Sequence, residues 1–335
     1  MITVLGVAVV IGVVVSAGTG QYALGLDRVV SSLIARISRT GSGGLDAAAE
    51  SVLWDVRMPR LVMAVLVGAA LGVAGALMQG LFRNPLAEPA VVGVSSGAAV
   101  GACVAIVSGI NLMGSLTAPV AAFAGAVTAT AAVYLLSRST GHADTSGVVL
   151  MGVAVNAIAA AGIGVAVVAA GPRARQDILF WQLGSLNGTR WVAVGAALPL
   201  LVVGLVAAVL LSRSLDLLSL GESTARHLGV DVERSQVAAI ATVALLVGPA
   251  TAFCGIIGFV GLVVAHALRI VLGPRHRPLI IGSALGGALV MVVADTAART
   301  AVAHAELPVG MLTALVGGPV FLLLLRRRKT LGVPR

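Results

Sequence analysis

Arg57 and Arg60 stand three residues apart in "WDVRMPRLVMAVLVGAALG", at the start of a long apolar run. Two guanidinium groups at the lip of an apolar helix have two uses. They can anchor in lipid headgroups, or they can receive the carboxylates of a partner. Catalysis has less to work with. His142 and His266 have no partners at metal-ligand spacing. Cys103 and Cys254 lie far apart in apolar sequence, outside any Cys-x-x-Cys spacing, and read as small packing residues. No disulfide framework, zinc site or resident cofactor follows. An ordinary ATP site needs a lysine after its glycines. The single lysine, Lys329, lies in the C-terminal tail. If this chain pumps, a partner must bind the ATP and magnesium.

The elements that position these residues are membrane spans. Of 335 residues, 59% are hydrophobic and 10% charged, against roughly 25% charged in soluble chains. The apolar runs are continuous rather than alternating, which predicts helices and not a barrel. They fall at about 2–20, 61–81, 91–109, 112–136, 147–170, 191–211, 236–253, 256–272, 279–298 and 309–325, or ten spans by hydropathy. The fold class is thus an all-α polytopic membrane protein, a single transmembrane domain over 1–335. The N-terminal run lacks a positively charged n-region, so it reads as the first span and not as a cleaved signal. A net charge of +9 does not point to nucleic acid, because the charges punctuate the spans and form no basic domain.

Arg326, Arg327, Arg328 and Lys329 follow the last span directly, which marks that end as cytoplasmic. Ten spans then place both termini inside. Thirteen Arg/Lys fall inside in this layout and nine outside. Arg57 and Arg60 are among the nine, so positive-inside anchoring does not explain them. Spaced by three, they share a face if the helix begins near Pro59, a suitable early-helix proline. Only Asp295 among the acidic residues falls clearly within a span, four residues before Arg299, a spacing that predicts a local ion pair. Asp55 stands close enough to neutralise Arg57. A proton relay has almost nothing to use. The spans are instead rich in small residues. Gly68, Gly72 and Gly75, and the series Gly255, Gly258 and Gly261, suit close helix packing or, alternatively, a weakly interacting pathway.

Two polar stretches lie on the cytoplasmic side. In Ser212–Arg234, Ser219 and Glu222 have capping-box spacing and Gly229 is placed as a helix stop. The segment predicts two short helices across the membrane face, either inert interfacial helices or a docking surface for a cytoplasmic protein. In "RNPLAEP", Arg83–Pro89, two prolines keep the flanking spans from joining.

These stretches together resemble the FecCD-type permease subunits of ATP-binding-cassette importers for iron chelates, haem and vitamin B12. The resemblance runs from residue 57 to about 325 through "RMPRLVMAVLVGAALGVAGALMQGLFRNPLAEPAVVGVSSGAAVGA", "FWQLGSLNG", "LGESTARHLGV", "GIIGFVGLVVAHALRIVLGPRHRPL" and "ADTAARTAVAHAELPVGMLTALVGGPVF". It implies ten helices in the type II importer arrangement, a homodimer in the cell membrane, two cytoplasmic ATPase subunits and an external substrate-binding protein. It implies that Arg57, Arg60 and Arg299 receive acidic residues of that binding protein. It implies coupling to the ATPase through Ser219, Leu220, Gly221, Glu222, Ala225, Leu228 and Gly229, within about 213–234. Arg83, Asn84 and Pro85 belong to the cytoplasmic loop motif, and Gly184, Ser185 and Leu186 to the translocation path. The motifs look closest to haem permeases, with ferric siderophores and cobalamin as alternative cargoes. An ion-coupled carrier without an ATPase is the more distant alternative. Ala265 and His304 stand where the family commonly has proline. An outward His304 is a possible haem contact, since imidazole ligates iron.

Overall fold

The computed structural model describes residues 1–20, 22, 24–38, 44–138, 145–302 and 305–330. In chain order the helices are α1 (Ile2–Gly18), α2 (Leu26–Ser38), α3 (Ala47–Ser51), α4 (Met58–Leu81), α5 (Val94–Ser108), α6 (Thr117–Arg138), α7 (Thr145–Ala169), α8 (Pro172–Gln182), α9 (Trp191–Leu218), α10 (Glu222–His227), α11 (Val232–Cys254), α12 (Val260–Leu272), α13 (His276–Thr300) and α14 (Val309–Thr330). No strand occurs among the described residues, only an isolated bridge between Val302 and Ala305. Each of the ten apolar runs is a helix. Six helical stretches are long and apolar enough to cross a membrane, and α1, α5, α12 and the described part of α14 are shorter apolar helices. The junction at 255–259 separates α11 from α12: Gly255 and Phe259 both have positive φ, which ends one helix and re-aims the next.

The bundle is built around α4. Twenty of its twenty-four residues are buried, against α13, α12, α11 and α9. Its glycines make this possible. A Cβ at Gly68 would overlap the Gly287 carbonyl, one at Gly72 the Ser283 carbonyl, and one at Gly75 the Gly261 carbonyl. In hydrocarbon there is no hydrophobic drive between helices, so close backbone approach and dispersion supply the association. Packing, not a pathway lining, is therefore what Gly68, Gly72, Gly75 and Gly261 do. The same device joins α5 to α6, where Gly97 meets Gly125 and Gly101 meets Ala121. α12 runs without interruption through Ala265, which is fully buried.

Three local expectations are corrected. The helix bearing Arg57 and Arg60 does not begin at Pro59. It runs unbroken from Ala47 to Leu81 through a π-helical turn at Val52–Arg57. Pro59 has no N–H to give the Asp55 carbonyl, and the turn ahead of it slips to wider bonds, with the Met58 N–H on the Leu53 carbonyl. The Trp54 carbonyl accepts instead from Trp191 Nε1 at 2.9 Å. Second, the polar segment holds one short helix, α10, because residues 213–218 are the last turns of α9. Third, the capping box does not form. The α10 N-cap is Gly221, and the Ser219 hydroxyl donates to the Asp216 carbonyl at 2.6 Å. The helix stop does form. Gly229 is left-handed, its N–H bonds the Arg226 carbonyl and the Val230 N–H bonds the Ala225 carbonyl, a Schellman pair.

Gly72→Val should lower the thermal stability of the detergent-purified protein by about 1–3 kcal/mol. Gly195→Ala, whose added Cβ meets nothing within 4 Å, should be neutral or slightly stabilising.

Candidate functional site

Arg57, Arg60 and Arg299 converge at one end of the bundle, and all three are buried, at 6%, 7% and 8% exposure. Arg60 is held in a fork by Asp295, with Nε at 3.0 Å and Nη2 at 2.9 Å from Oδ1. Its Nη1 reaches Glu306 Oε2 at 2.8 Å. Asp295 is fully buried and also pairs with Arg299 Nε at 3.2 Å, as the i,i+4 spacing predicts. One carboxylate therefore serves two arginines, and ties α4 to α13.

The remaining guanidinium donors close the end of α1. Arg299 donates to the Ser16 hydroxyl at 2.7 Å and to the Ser16 and Thr19 carbonyls. Arg57 donates to the Ala17 carbonyl at 2.6 Å and to the Tyr22 carbonyl. Helix C-terminal carbonyls lack intrahelical partners and carry partial negative charge, so a cation there satisfies both needs. Asp55 does not neutralise Arg57. It accepts from Ser51 Oγ at 3.0 Å. Three cations meet two carboxylates in this cluster, and Glu306 is the more open carboxylate, at 34% side-chain exposure. His304 lies outside the described residues.

The opposite end carries the loop motif and the α10 groups. Asn84 Oδ1 accepts from the Leu86 N–H at 2.9 Å, and its carbonyl accepts from Ala87, so Asn84 shapes the turn around the half-buried Pro85. Arg83, left-handed at φ 48°, lies 3.9 Å from Glu222 of α10. Within α10 and its flanks Ala225 is fully buried, while Leu220 and Leu228 are exposed, at 62% and 55%. Gly184, Ser185 and Leu186 sit in a backbone joint. The Ser185 N–H bonds the Cys254 carbonyl at 2.7 Å, and the Gly184 carbonyl accepts from Gly310. Gly184 and Leu186 are buried and Ser185 is half-buried.

The arrangement is an arginine cluster at one end, a short exposed helix at the other and helix breaks between them. The model of the FecCD transport family matches residues 8–327. The chain belongs to the FecCD transport family. It is 44% identical to a cobalamin import system permease of Halobacterium salinarum over 85% of this chain and 76% of that one. It is 41% identical to a hemin transport system permease of Yersinia pestis over 83% and 84% of the two chains. It is also 41% identical to an uncharacterised ABC transporter permease of Bacillus subtilis, over 85% and 82%. Its fold matches a solved inward-facing putative metal-chelate type ABC transporter, with a TM-score of 0.86 and 30% identity over 97% and 98% of the chains. This FecCD chain is therefore a polytopic ABC importer permease with the type II fold.

Three polar groups of this permease escape a reading by apolar runs. Glu88 reaches across to the Phe259 N–H at 3.2 Å and caps the start of α12, where an anion is favoured. Asp216 on α9 accepts from both the backbone N–H and Nδ1 of His276, each at 2.7 Å, and so caps α13. Glu306 completes the Arg60 fork. In each case the partners are distant in sequence, so no spacing announces them. Helix α2 is missed because it is amphipathic, with Val29, Ser32 and Ala35 buried, rather than apolar throughout.

Asp295→Asn should destabilise the protein by about 3–5 kcal/mol, since it strands buried cations. Glu306→Gln should cost clearly less, because Glu306 is partly solvated. Thermal unfolding of both variants in one detergent checks the order.

Proposed function

We propose that this chain is the membrane-spanning subunit of an ATP-driven importer for a metal tetrapyrrole, haem or cobalamin. Two copies form the pathway, an external binding protein delivers the cargo, and cytoplasmic ATPase subunits drive the cycle. The observation that carries the reading is the family match over nearly the whole chain, with cobalamin and hemin permeases among its relatives at 44% and 41% identity. The lean of the motifs toward haem has no structural counterpart among the described residues. A ferric siderophore is the remaining cargo in this class. The membrane is the bacterial cytoplasmic membrane, with the arginine end outward and both termini inside.

Coupling is assigned to the α10 region, from Ser219 through Gly229. Leu220 and Leu228 present apolar side chains beside a polar, basic surface, which suits a seat in a protein groove. Backward from α10, Arg83 approaches Glu222 from the loop after α4, and Asp216 grips the start of α13. A push on α10 thus reaches α9, α4 and α13 through short polar links. At their far ends, α4 and α13 hold Arg60, Asp295 and Arg299. An apolar cleft of about 480 Å³ between α12, α13 and α14 supplies a wall with few polar grips, consistent with a bulky cargo that must not stick. The joint at Gly184, Ser185 and Leu186 anchors α8 beside it.

Docking of the binding protein is assigned to the arginine cluster. Arg57, Arg60 and Arg299 exceed the carboxylates by one charge, and Glu306 is the carboxylate a partner acid can replace. Electrostatic complementarity of this kind acts mainly on encounter and specificity.

ATPase activity of the reconstituted complex should rise when the binding protein is loaded with haem or with cobalamin, and only one of these should do it. Stimulation by a ferric siderophore alone would reject the tetrapyrrole reading. Uptake driven by an ion gradient without any ATPase would reject the importer. Leu228→Asp should abolish the stimulation while leaving the permease folded. Glu306→Gln should tighten binding-protein docking and steepen its salt dependence, as read by surface-immobilised binding assays.

A further inference from the structure

Helix α2 is strongly amphipathic, and its apolar arc is wider than the bundle covers. Val29 and Ser32 are buried against the protein and Leu33 is half-buried. Beside that seat, Leu26, Val30 and Ile34 follow one another at four-residue spacing and form one stripe. All three are exposed, at 48%, 40% and 58%. Asp27, Arg28 and Ser31 stand exposed on the remaining face. The helix has 13 residues, so at its usual rise it is about 20 Å long. That is too short to cross hydrocarbon of about 30 Å, and Asp27, Arg28 and Arg36 would be costly inside it. Such a helix can lie at a membrane surface but cannot span one.

The surroundings point to what covers the stripe. A Cβ at Gly18 would overlap the Leu26 side chain, so the stripe starts on the end of α1. That helix exposes Val4, Val7, Ile11 and Val15 at helical spacing, an apolar side that faces lipid in a span. The stripe on α2 carries this surface on past Val15. Amphipathic aromatic rings stand at the same end. Tyr22 and Trp191 are exposed, the Tyr22 carbonyl accepts from Arg57 and the Trp54 carbonyl accepts from Trp191. Rings of this kind collect where headgroups meet acyl chains. We propose that α2 binds the phospholipid leaflet at the arginine end, with Leu26, Val30 and Ile34 seated at the boundary between headgroups and acyl chains. A helix with one strongly polar face and low net hydrophobicity settles at that depth, about 5–10 Å in. A protein partner that brings acids to the arginines has no use for an apolar stripe. The contact is not remote from those arginines. Trp54 Nε1 donates to Ser32 Oγ at 3.1 Å, and Arg36 lies 4.8 Å over the Trp54 ring and 3.7 Å from Glu50. Trp54 belongs to the π-helical turn ahead of Met58, so the leaflet holds α2 and α2 holds the turn that presents Arg57.

The test uses the full-length permease in nanodiscs of phosphatidylcholine with a minority of phosphatidylglycerol. Val30→Cys, Ile34→Cys and Ser31→Cys each carry one environment-sensitive fluorophore. The native Cys103 and Cys254 are buried and stay unlabelled in the parent chain, which serves as the blank. All three labelled positions are exposed, so the variants should fold, and a monodisperse elution profile checks this. At Val30→Cys and Ile34→Cys, quenching by a lipid-borne nitroxide should exceed quenching by aqueous iodide severalfold. At Ser31→Cys the order should reverse. A nitroxide near the headgroup should quench the two stripe positions more than one near the acyl terminus. Iodide reaching Val30→Cys and Ile34→Cys as readily as Ser31→Cys would overturn the proposal and leave the stripe in water. Shielding from iodide that appears only when the binding protein is added would give the face to that protein instead. A disulfide between two unlabelled Ile34→Cys chains in one nanodisc would give it to a second copy.

Discussion

The buried pairing of Arg60 with Asp295 is the interaction on which the rest of the bundle depends. Asp295 has no exposure to solvent, and Arg60 almost none. Neither charge is tolerable alone in a medium that cannot solvate it. Each therefore dictates where the other's helix stands, and α4 and α13 are brought into register. That register lets Gly68 face Gly287 and Gly72 face Ser283 at backbone distance. One ion pair and a run of glycines thus act on the same interface. The first sets the alignment and the second supplies the area. Arg57 and Arg299 extend the arrangement by satisfying the end of α1, which would otherwise leave carbonyls unpaired. The arginines are in this sense structural before they are anything else. A docking role has to work through a cluster that is already nearly saturated.

The irregular segments follow the same logic. Backbone that leaves the helix at membrane depth must find partners inside the protein. The junction at 255–259 does so through Glu88, which serves the Phe259 N–H, and through Ser185, which serves the Cys254 carbonyl. The π-helical turn before Pro59 does so through Trp191. At these breaks the named backbone groups find partners inside the bundle.

Much of this was legible in the sequence. The ten apolar runs are all helices, because continuous hydrophobicity over such lengths allows little else. The i,i+4 pairing of Asp295 with Arg299 and the Gly229 stop follow from local spacing and are present. The resemblance carried by five ordered motifs is matched by a family model over residues 8–327. The local expectations that failed did so for nameable reasons. Ser219 and Glu222 have capping-box spacing, but α9 runs on to Leu218, and Ser219 turns back to Asp216. Pro59 looks like a helix start, yet a π-helical turn lets the helix pass through it.

What the sequence determined by itself is the class of the molecule: its helices, its membrane environment and its family. These depend on composition and on contacts within about one helical turn. What only the tertiary structure decided is which charges meet. Glu306 with Arg60, Asp216 with His276 and Glu88 with Phe259 join residues tens to hundreds of positions apart. Each depends on helix rotation and depth, and those are set by how glycine faces and buried ion pairs fit together across the whole bundle.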